Sequence, residues 1–303
     1  MNKYKITVLI CTWNRADVIG RCFDALEKQT LGTDNFEVLI IDNNSTDNTA
    51  ALVKERAEKG PLHIRYVLED RQGQSFARNR ALDEARTEYA QFLDDDCLAR
   101  PDCLELMYNA LSETGADIVC GKTINIYPDT MPKIIEYGMP YVFPTYTGKR
   151  RVMPNALGTT GNMGLKVAFA RGIRFSKELG YVGNKKVGGE DTDFCLRARA
   201  AGGVFVVEPS SICDHLIQAH RINFPDRWRT SYAYGIMRAR IAVKERKMSA
   251  PKRLAMFAFL AVTAAIQAPF VLVSFLVPHY ALRSFLRFAR YCGRAHGFLK
   301  PED

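Results

Sequence analysis

A chain of 303 residues with 47% hydrophobic content is long enough to bury a full core in one large domain or two. With 25% charged residues nothing in the composition suggests disorder, and the net charge of +9 is unevenly placed. Residues 216–303 carry 15 Lys and Arg against 4 Asp and Glu, whereas residues 1–215 carry 27 against 29, so the basic excess lies in the C-terminal segment and points to a polyanionic partner, nucleic acid or an anionic lipid surface.

Ile6–Thr12 is a β-branched apolar run, and Asp17–Gln29 reads as a helix. Phe36–Asp42 (FEVLIID) is a second buried strand, after which Asp47 can cap a helix reaching about Lys59. His63–Leu68 reads as a strand, Phe76–Arg86 as a helix and Tyr89–Asp94 as a strand. A helix follows Pro101, and another strand lies at Ile118–Cys120. This alternation predicts a Rossmann-like α/β domain with a mixed, mostly parallel sheet flanked by helices. In such sheets ligands bind at the carboxyl ends of strands. The polar clusters fall there: Thr12-Trp13-Asn14-Arg15, the run from Asp42 to Asp47, and Asp94-Asp95-Asp96.

From Asn125 to Lys186 the chain is rich in Gly, Pro and Tyr, which predicts long loops around a few strands. A helix is expected at Asp191–Ala201, stopped by Gly202-Gly203. A strand-like run, Gly203–Val207, then precedes a loop that leads to His215. Asp226–Arg253 is helical in pattern and basic. Leu254–Val277 then runs without a charged residue, broken by Gln267 and Pro269, and Arg283, Arg287, Arg290 and Arg294 recur beyond it at helical spacing. The uncharged run exceeds the roughly 20 residues that span a bilayer. A single span leaves basic residues mainly on one side, and here both flanks are basic. A hairpin in one leaflet, or helices lying in the interface, fits both flanks better than a span. A buried core helix pair is the alternative, and the basic flanks count against it. Nucleic-acid binding is disfavoured, because the basic residues flank an apolar run and do not line a groove.

The eight cysteines form no CxxC pair, which argues for buried thiols and against a zinc cluster or a disulfide framework. The N-terminus lacks the long apolar stretch of a secretory signal, so the body is expected in the cytoplasm. No sequence feature fixes an oligomeric state.

Three adjacent carboxylates, Asp94-Asp95-Asp96, repel one another unless a positive group sits among them. Hard oxygen donors suit Mg²⁺ or Mn²⁺; the competing reading is an acidic loop ahead of a helix. Glu190-Asp191 follow Gly188-Gly189 at a helix start, where the dipole favours ionised carboxylates. That suits a proton acceptor, and equally an N-cap. Asp42 can hydrogen-bond a base or ribose. Arg78 and Asn79 can meet a phosphate or base, or lie on a solvated helix face. A lone histidine such as His215 is more often structural than a metal ligand.

In order, ITVLICTWNR, FEVLIIDNNSTDNT, GQSFARNRAL, YAQFLDDDC, GTTGNMGLK and GGEDTDFCLRARAAG resemble family 2 glycosyltransferases of the GT-A fold, over roughly residues 4–215. The fuller chain, with its basic and hydrophobic tail, resembles bacterial exopolysaccharide enzymes of the succinoglycan UDP-hexose transferase type. The resemblance implies a divalent cation, Mn or Mg, a UDP-sugar donor, and a lipid-linked saccharide acceptor at the cytoplasmic face of the bacterial inner membrane. By this resemblance Thr12, Asn14, Arg15 and Asp42 belong to the nucleotide site, Asp42 at the uracil. Arg78 falls beside base and phosphate, and Asp95 faces the ribose. Asp94 and Asp96 form the DxD motif with Asp96 the direct metal ligand, and His215 falls near a further one. Gly161 and Asn162 match the loop under donor sugar and acceptor, Asp191 the general base, and Glu190 a support of the acceptor site. Arg221, Arg227 and Trp228 do not reproduce the Q/RxxRW pattern of processive members, which favours single-sugar addition. Two rivals are a sugar nucleotidyltransferase, for which CTWNRAD offers no glycine-rich loop, and a catalytically inactive membrane-bound scaffold of the same fold.

Overall fold

The structure, a computed structural model, describes residues 3–128, 142–143, 146–182, 185–186, 188–219, 222–274, 276 and 278–299. Arg221 and much of the expected middle loop lie outside the described residues. The chain divides into two compact units: residues 1–126, 141–178 and 190–216 form the first, and residues 127–140, 179–189 and 217–303 the second.

The first unit begins with β1 (Ile6–Thr12), α1 (Ile19–Leu26), β2 (Phe36–Asp42), α2 (Thr49–Lys59), β3 (Ile64–Leu68), α3 (Gln74–Glu84) and β4 (Tyr89–Phe92). It continues through β5 (Cys97–Ala99), α4 (Cys103–Thr114), β6 (Ile118–Ile126), β7 (Val142–Phe143), β8 (Arg151–Val152), β9 (Met163–Lys166) and α5 (Val167–Ile173). Its last elements are α6 (Glu190–Ala200) and a long strand, Phe205–Leu216. Counting two short strands of the second unit, β10 (Tyr181–Val182) and β11 (Lys185–Lys186), that last strand is β12.

The strands form one sheet in the order β3-β2-β1-β4-β9-β6-β12-β5, with β7 on β6 and β8 on β12. The first half, β3-β2-β1-β4, is wholly parallel. β9 enters antiparallel between β4 and β6, whereas β6 and β12 pair parallel. Both faces are covered, as parallel strands require. Ile6, Val8 and Ile10 of β1 and Phe36, Val38 and Ile40 of β2 pack with α1, α2 and α4. Their alternates Leu9, Leu39 and Ile41 pack with α3, α5 and α6. The order reverses at β1, since β2 lies on one side and β4 on the other, so the loops after β1, β2 and β4 converge at one sheet edge.

Some elements differ from the sequence pattern. β12 does not stop at Val207: its pairing with β6 is irregular between Val207 and Ile212, then resumes through Leu216. Pro209 lies in that interval and has no N–H to donate, which is why the stretch reads as loop. The expected helix over Asp226–Arg253 is two helices. The six cysteines at 22, 97, 103, 120, 195 and 213 are buried, and none of the eight is in a disulfide.

The second unit is built on α7 (Phe224–Glu245), α8 (Ala250–Ser274) and α9 (Pro278–Leu299). Between α7 and α8, Lys247 takes a left-handed backbone (φ 44°), and Pro251 falls in the first turn of α8, where its missing N–H costs little. α8 runs on through Gln267 and Pro269, so the expected break there does not occur. Proline removes a single ladder bond, and packing of Ala264 and Val271, both buried, brackets the site. α7 and α9 approach closely because Gly235 and Gly293 have no Cβ: one added at Gly293 would overlap the Tyr232 backbone, and one at Gly235 the backbone of Arg290 and Arg294. The Tyr232 hydroxyl and His296 Nδ1 share a 2.7 Å hydrogen bond beside this crossing.

One face of α8 packs inward through Met256, Phe257 and Leu260, against Ala239, Ala295 and Phe298. On its other face Leu254, Phe259, Val262, Ile266, Phe270 and Leu272 are 59–75% exposed. Ala250–Leu272 is the one described helix long and apolar enough to cross a membrane. Arg283, Arg287 and Arg290 lie on exposed positions of α9, within seven residues of one another.

Candidate active site

The loop after β1 is fixed to the loop after β2. Asn14 adopts a left-handed conformation (φ 51°), and its N–H donates to Ser45 Oγ (2.9 Å) while its Oδ1 accepts from the Thr46 N–H (2.7 Å). The Arg15 N–H donates to Thr49 Oγ1 (2.9 Å), and Ala16 N–H to Asp47 (3.1 Å). Asp47 also accepts from the Thr49 N–H (3.0 Å) in a local turn, but the N-cap position of α2 is Asn48 and carries no side-chain cap, so the expected capping by Asp47 does not occur. Thr12 and Asp42, at the ends of β1 and β2, are paired in register and nearly inaccessible. Asp42 accepts from the Ser45 N–H (2.9 Å) and the Tyr66 hydroxyl (2.8 Å).

The three carboxylates after β4 have separate surroundings. Asp96 is 2% exposed. Its Oδ2 accepts from Arg15 Nη2 (2.9 Å), and its Oδ1 faces His215 Nε2 at 3.2 Å. Asp95 meets Arg15 Nε at 3.2 Å. Burial pushes the Asp95 carboxyl up to about 7, with Arg15 offsetting part of that rise and Asp96 adding to it. His215 reaches this place because β5, directly after the acidic run, pairs back on β12 with Cys97 opposite His215. Its Nδ1 meets Asn125 Oδ1 at 3.0 Å, which fixes the ring.

Asp94, Asp96 and Cys97 offer ligand atoms that all lie within 4.8 Å of one another. A divalent cation fits here: two hard carboxylate donors converge, and His215 lies on Asp96. The Cys97 thiol is held well above its usual range by burial, so the carboxylates and the imidazole are the better donors.

A second acidic group lies at the start of α6. Glu190, Asp191 and Asp193 occupy its first turn and Arg197 and Arg199 its last, in the sense that the helix dipole favours. Arg78, buried on α3, donates from Nη1 to Glu190 Oε1 (2.6 Å) and Asp191 Oδ1 (3.0 Å) and from Nη2 to the Thr160 hydroxyl, and lies 3.8 Å from Asp94. The Gln74 amide, oriented by its neighbours, donates to Glu190 Oε1 (3.1 Å) and accepts from Arg78 (2.6 Å). The Thr160 hydroxyl is 3.4 Å from both Asp94 Oδ1 and Asp191 Oδ2, and its N–H donates to Asp191 (3.2 Å). Burial raises Asp191 to about 7; Arg78 pulls it down and Glu190 pushes it up.

The structure thus gathers Arg15, Arg78, Asp94, Asp95, Asp96, Asp191 and His215 at one edge, with differences in detail. Arg78 faces the acids of α6, and neither Arg78 nor Asn79 lies on a solvated face: Asn79 is tied to the Phe175 backbone by two hydrogen bonds (2.9 and 2.8 Å). Asn162 is 1% exposed; its amide donates to Lys122 and Ser211 carbonyls and accepts from Gln91, so it braces the floor under the site. Gly161 lines the site, since a Cβ there would stand 3.4 Å from Asp94 Oδ2. Thr160 and Gln74 were not singled out from sequence. A hydroxyl directly before Gly161-Asn162 in GTTGN was the available signal for the first.

Known proteins share this chain's sequence family and fold. The sequence profile of "Glycosyl transferase family 2" matches residues 7–177, more than half the chain. The chain belongs to glycosyl transferase family 2. Glycosyltransferase AglE of Haloferax volcanii is 26% identical over 198 residues, covering 65% of this chain and 62% of that protein. The succinoglycan biosynthesis protein ExoM of Rhizobium meliloti is 28% identical over 208 residues, 68% of this chain and 65% of that one. The matches thus span under two thirds of these relatives' length. Among solved structures, mannosyltransferase PcManGT of Pyrobaculum calidifontis, in complex with GDP-Man and Mn2+, superposes with a TM-score of 0.62. It is 18% identical, and the match covers 100% of this chain and 89% of that one. Residues 1–349 of Staphylococcus aureus TarS in complex with UDP-GlcNAc give a TM-score of 0.59 at 16% identity, covering 96% and 91%. The shared fold is the GT-A fold: a mixed sheet flanked by helices.

Proposed function

We propose that residues 1–215 of this family 2 member form an inverting glycosyltransferase that moves a hexose from a nucleoside diphosphate sugar, a UDP-sugar, to a hydroxyl of a lipid-linked saccharide. One observation carries the reading: the Thr160 hydroxyl is 3.4 Å from both Asp94 and Asp191, so the DxD carboxylates and a candidate base flank a single point. Asp191 takes the acceptor hydroxyl proton as that oxygen attacks the anomeric carbon, and a single displacement inverts the centre. Arg78 and the Thr160 N–H orient the Asp191 carboxylate, and Glu190, on the same guanidinium, keeps it basic. Asp94, Asp96 and His215 would hold a Mn²⁺ or Mg²⁺ ion. When bound, that ion supplies Lewis-acid neutralisation of the leaving diphosphate. Thr12, Asn14 and Asp42 border the nucleoside end at the strand termini. Relatives with UDP-GlcNAc or GDP-Man and Mn2+ support a nucleoside diphosphate sugar as donor class.

Residues 216–303 attach the enzyme to the cytoplasmic face of the bacterial inner membrane, where a lipid-linked acceptor is confined. α8 lies in one leaflet and does not cross it: its packed face would otherwise draw α7 and α9, with their arginines, into hydrocarbon. Incubating the detergent-solubilised chain with UDP-sugars, Mn²⁺ and lipid-linked acceptors tests the function. Transfer abolished by Asp191→Asn supports it, and transfer that persists in that variant removes Asp191 from the base role.

A further inference from the structure

The geometry points to Arg15 as a built-in cation that holds Asp96 until a nucleoside diphosphate draws it away, coupling metal binding to nucleotide binding through one side chain. This rests on the donor-site reading above. The Arg15 backbone is immobilised, with its N–H on Thr49 and the preceding Asn14 tied to Ser45 and Thr46. Its guanidinium, launched from that fixed point, bridges Asp95 (3.2 Å) and Asp96 (2.9 Å). All three side chains are at most 14% exposed, so water screens the pairs poorly.

A divalent ion on Asp96 and a guanidinium on the same carboxylate are like charges in a poorly screened site, and they compete. Binding the ion alone therefore requires Arg15 to give up Asp96 and keep only its contact with Asp95. A diphosphate changes this balance, because its oxygens match the planar donor fork as well as a carboxylate does. The side chain can turn about its methylene bonds while the backbone stays put. Arg78 does not serve this role, since Glu190, Asp191 and Thr160 already engage its guanidinium. His215 lies on the other oxygen of Asp96 and need not move. Linkage makes the effect reciprocal: nucleotide tightens the metal as much as metal tightens the nucleotide.

The test measures Mn²⁺ binding to the full chain from the electron paramagnetic resonance signal of unbound Mn²⁺, with and without UDP. It compares wild type, Arg15→Gln and Arg15→Lys, with circular dichroism confirming folding. In Arg15→Gln, Mn²⁺ alone binds about tenfold tighter, and the factor by which UDP tightens it falls about tenfold. The remaining coupling comes from direct phosphate–metal contact. Arg15→Lys, which keeps the charge but loses the fork, falls between, and decides the matter if the glutamine variant does not fold. Unchanged or weaker Mn²⁺ affinity without UDP in these variants, beside normal wild-type binding, overturns this inference and leaves the donor site standing. Wild-type protein that binds Mn²⁺ neither alone nor with UDP overturns both.

Discussion

Arg78 Nη1 stands 3.0 Å from Asp191 Oδ1 and 2.6 Å from Glu190 Oε1, so one buried guanidinium serves two carboxylates of the same helix turn. The acid that would act as base is thereby oriented by a cation and held basic by a neighbouring anion.

Replacing Asp191 by Asn keeps the shape and the contact with the Thr160 N–H while removing the proton acceptor. Turnover should fall by about 10² to 10⁴, with the nucleotide-sugar dissociation constant within about twofold of wild type. Single-turnover kinetics and calorimetry check the two halves separately.

The pH profile follows from the same cluster. Asp191, raised to about 7 by burial, must be ionised to act, so the rate should fall as pH drops through its folded-state value. Glu190→Gln removes a negative neighbour and should move the acid limb to lower pH. Arg78→Gln removes the positive one and should move it to higher pH. Shifts of like sign in the two variants would falsify this account of the base.

Asp96 has both oxygens engaged by groups on other elements, and His215 is one of them. Asp96→Asn should weaken Mn²⁺ binding by more than about tenfold and His215→Gln by less. Equal, negligible losses in a Mn²⁺ titration would place the ion elsewhere.

Much of this site was legible in the sequence because its parts sit at strand ends: Thr12 and Asp42 close short, near-continuous apolar runs of the kind that strands buried on both faces require, and Asp94–Asp96 follow the short run YAQFL. What pairs with them was not legible. His215 meets Asp96 through the pairing of β12 with β5, a non-local register hidden behind Pro209. Arg78 looks like an ordinary charge on α3, and only the packing of α6 across the sheet turns it toward acids. Asn162 shows the converse: a polar residue in a motif loop serves the scaffold. In the C-terminal unit, composition alone placed a stop at Pro269, where packing carries the helix through.

The exposed face of α8 and the arginines of α9 make a membrane claim that flotation can test. The chain should float with vesicles containing anionic phosphatidylglycerol and much less with neutral ones. Arg283→Glu with Arg287→Glu should lower partitioning by tenfold or more, at about 1 kcal/mol per basic residue near the surface. Deleting the segment after Arg253 should abolish flotation. A full-length chain that stays soluble with anionic vesicles contradicts the claim.

The most direct test of the central claim is the melting temperature of the full chain against a panel of nucleotide sugars, with and without Mn²⁺. A UDP-sugar at about a hundredfold excess over its dissociation constant contributes about 2.7 kcal/mol, enough to raise Tm by several degrees. That rise should appear only with the metal and should vanish in Asp96→Asn. Stabilisation by GDP-sugars and not by UDP-sugars would contradict the donor, and no stabilisation by any nucleotide sugar would contradict the reading of the site as a whole.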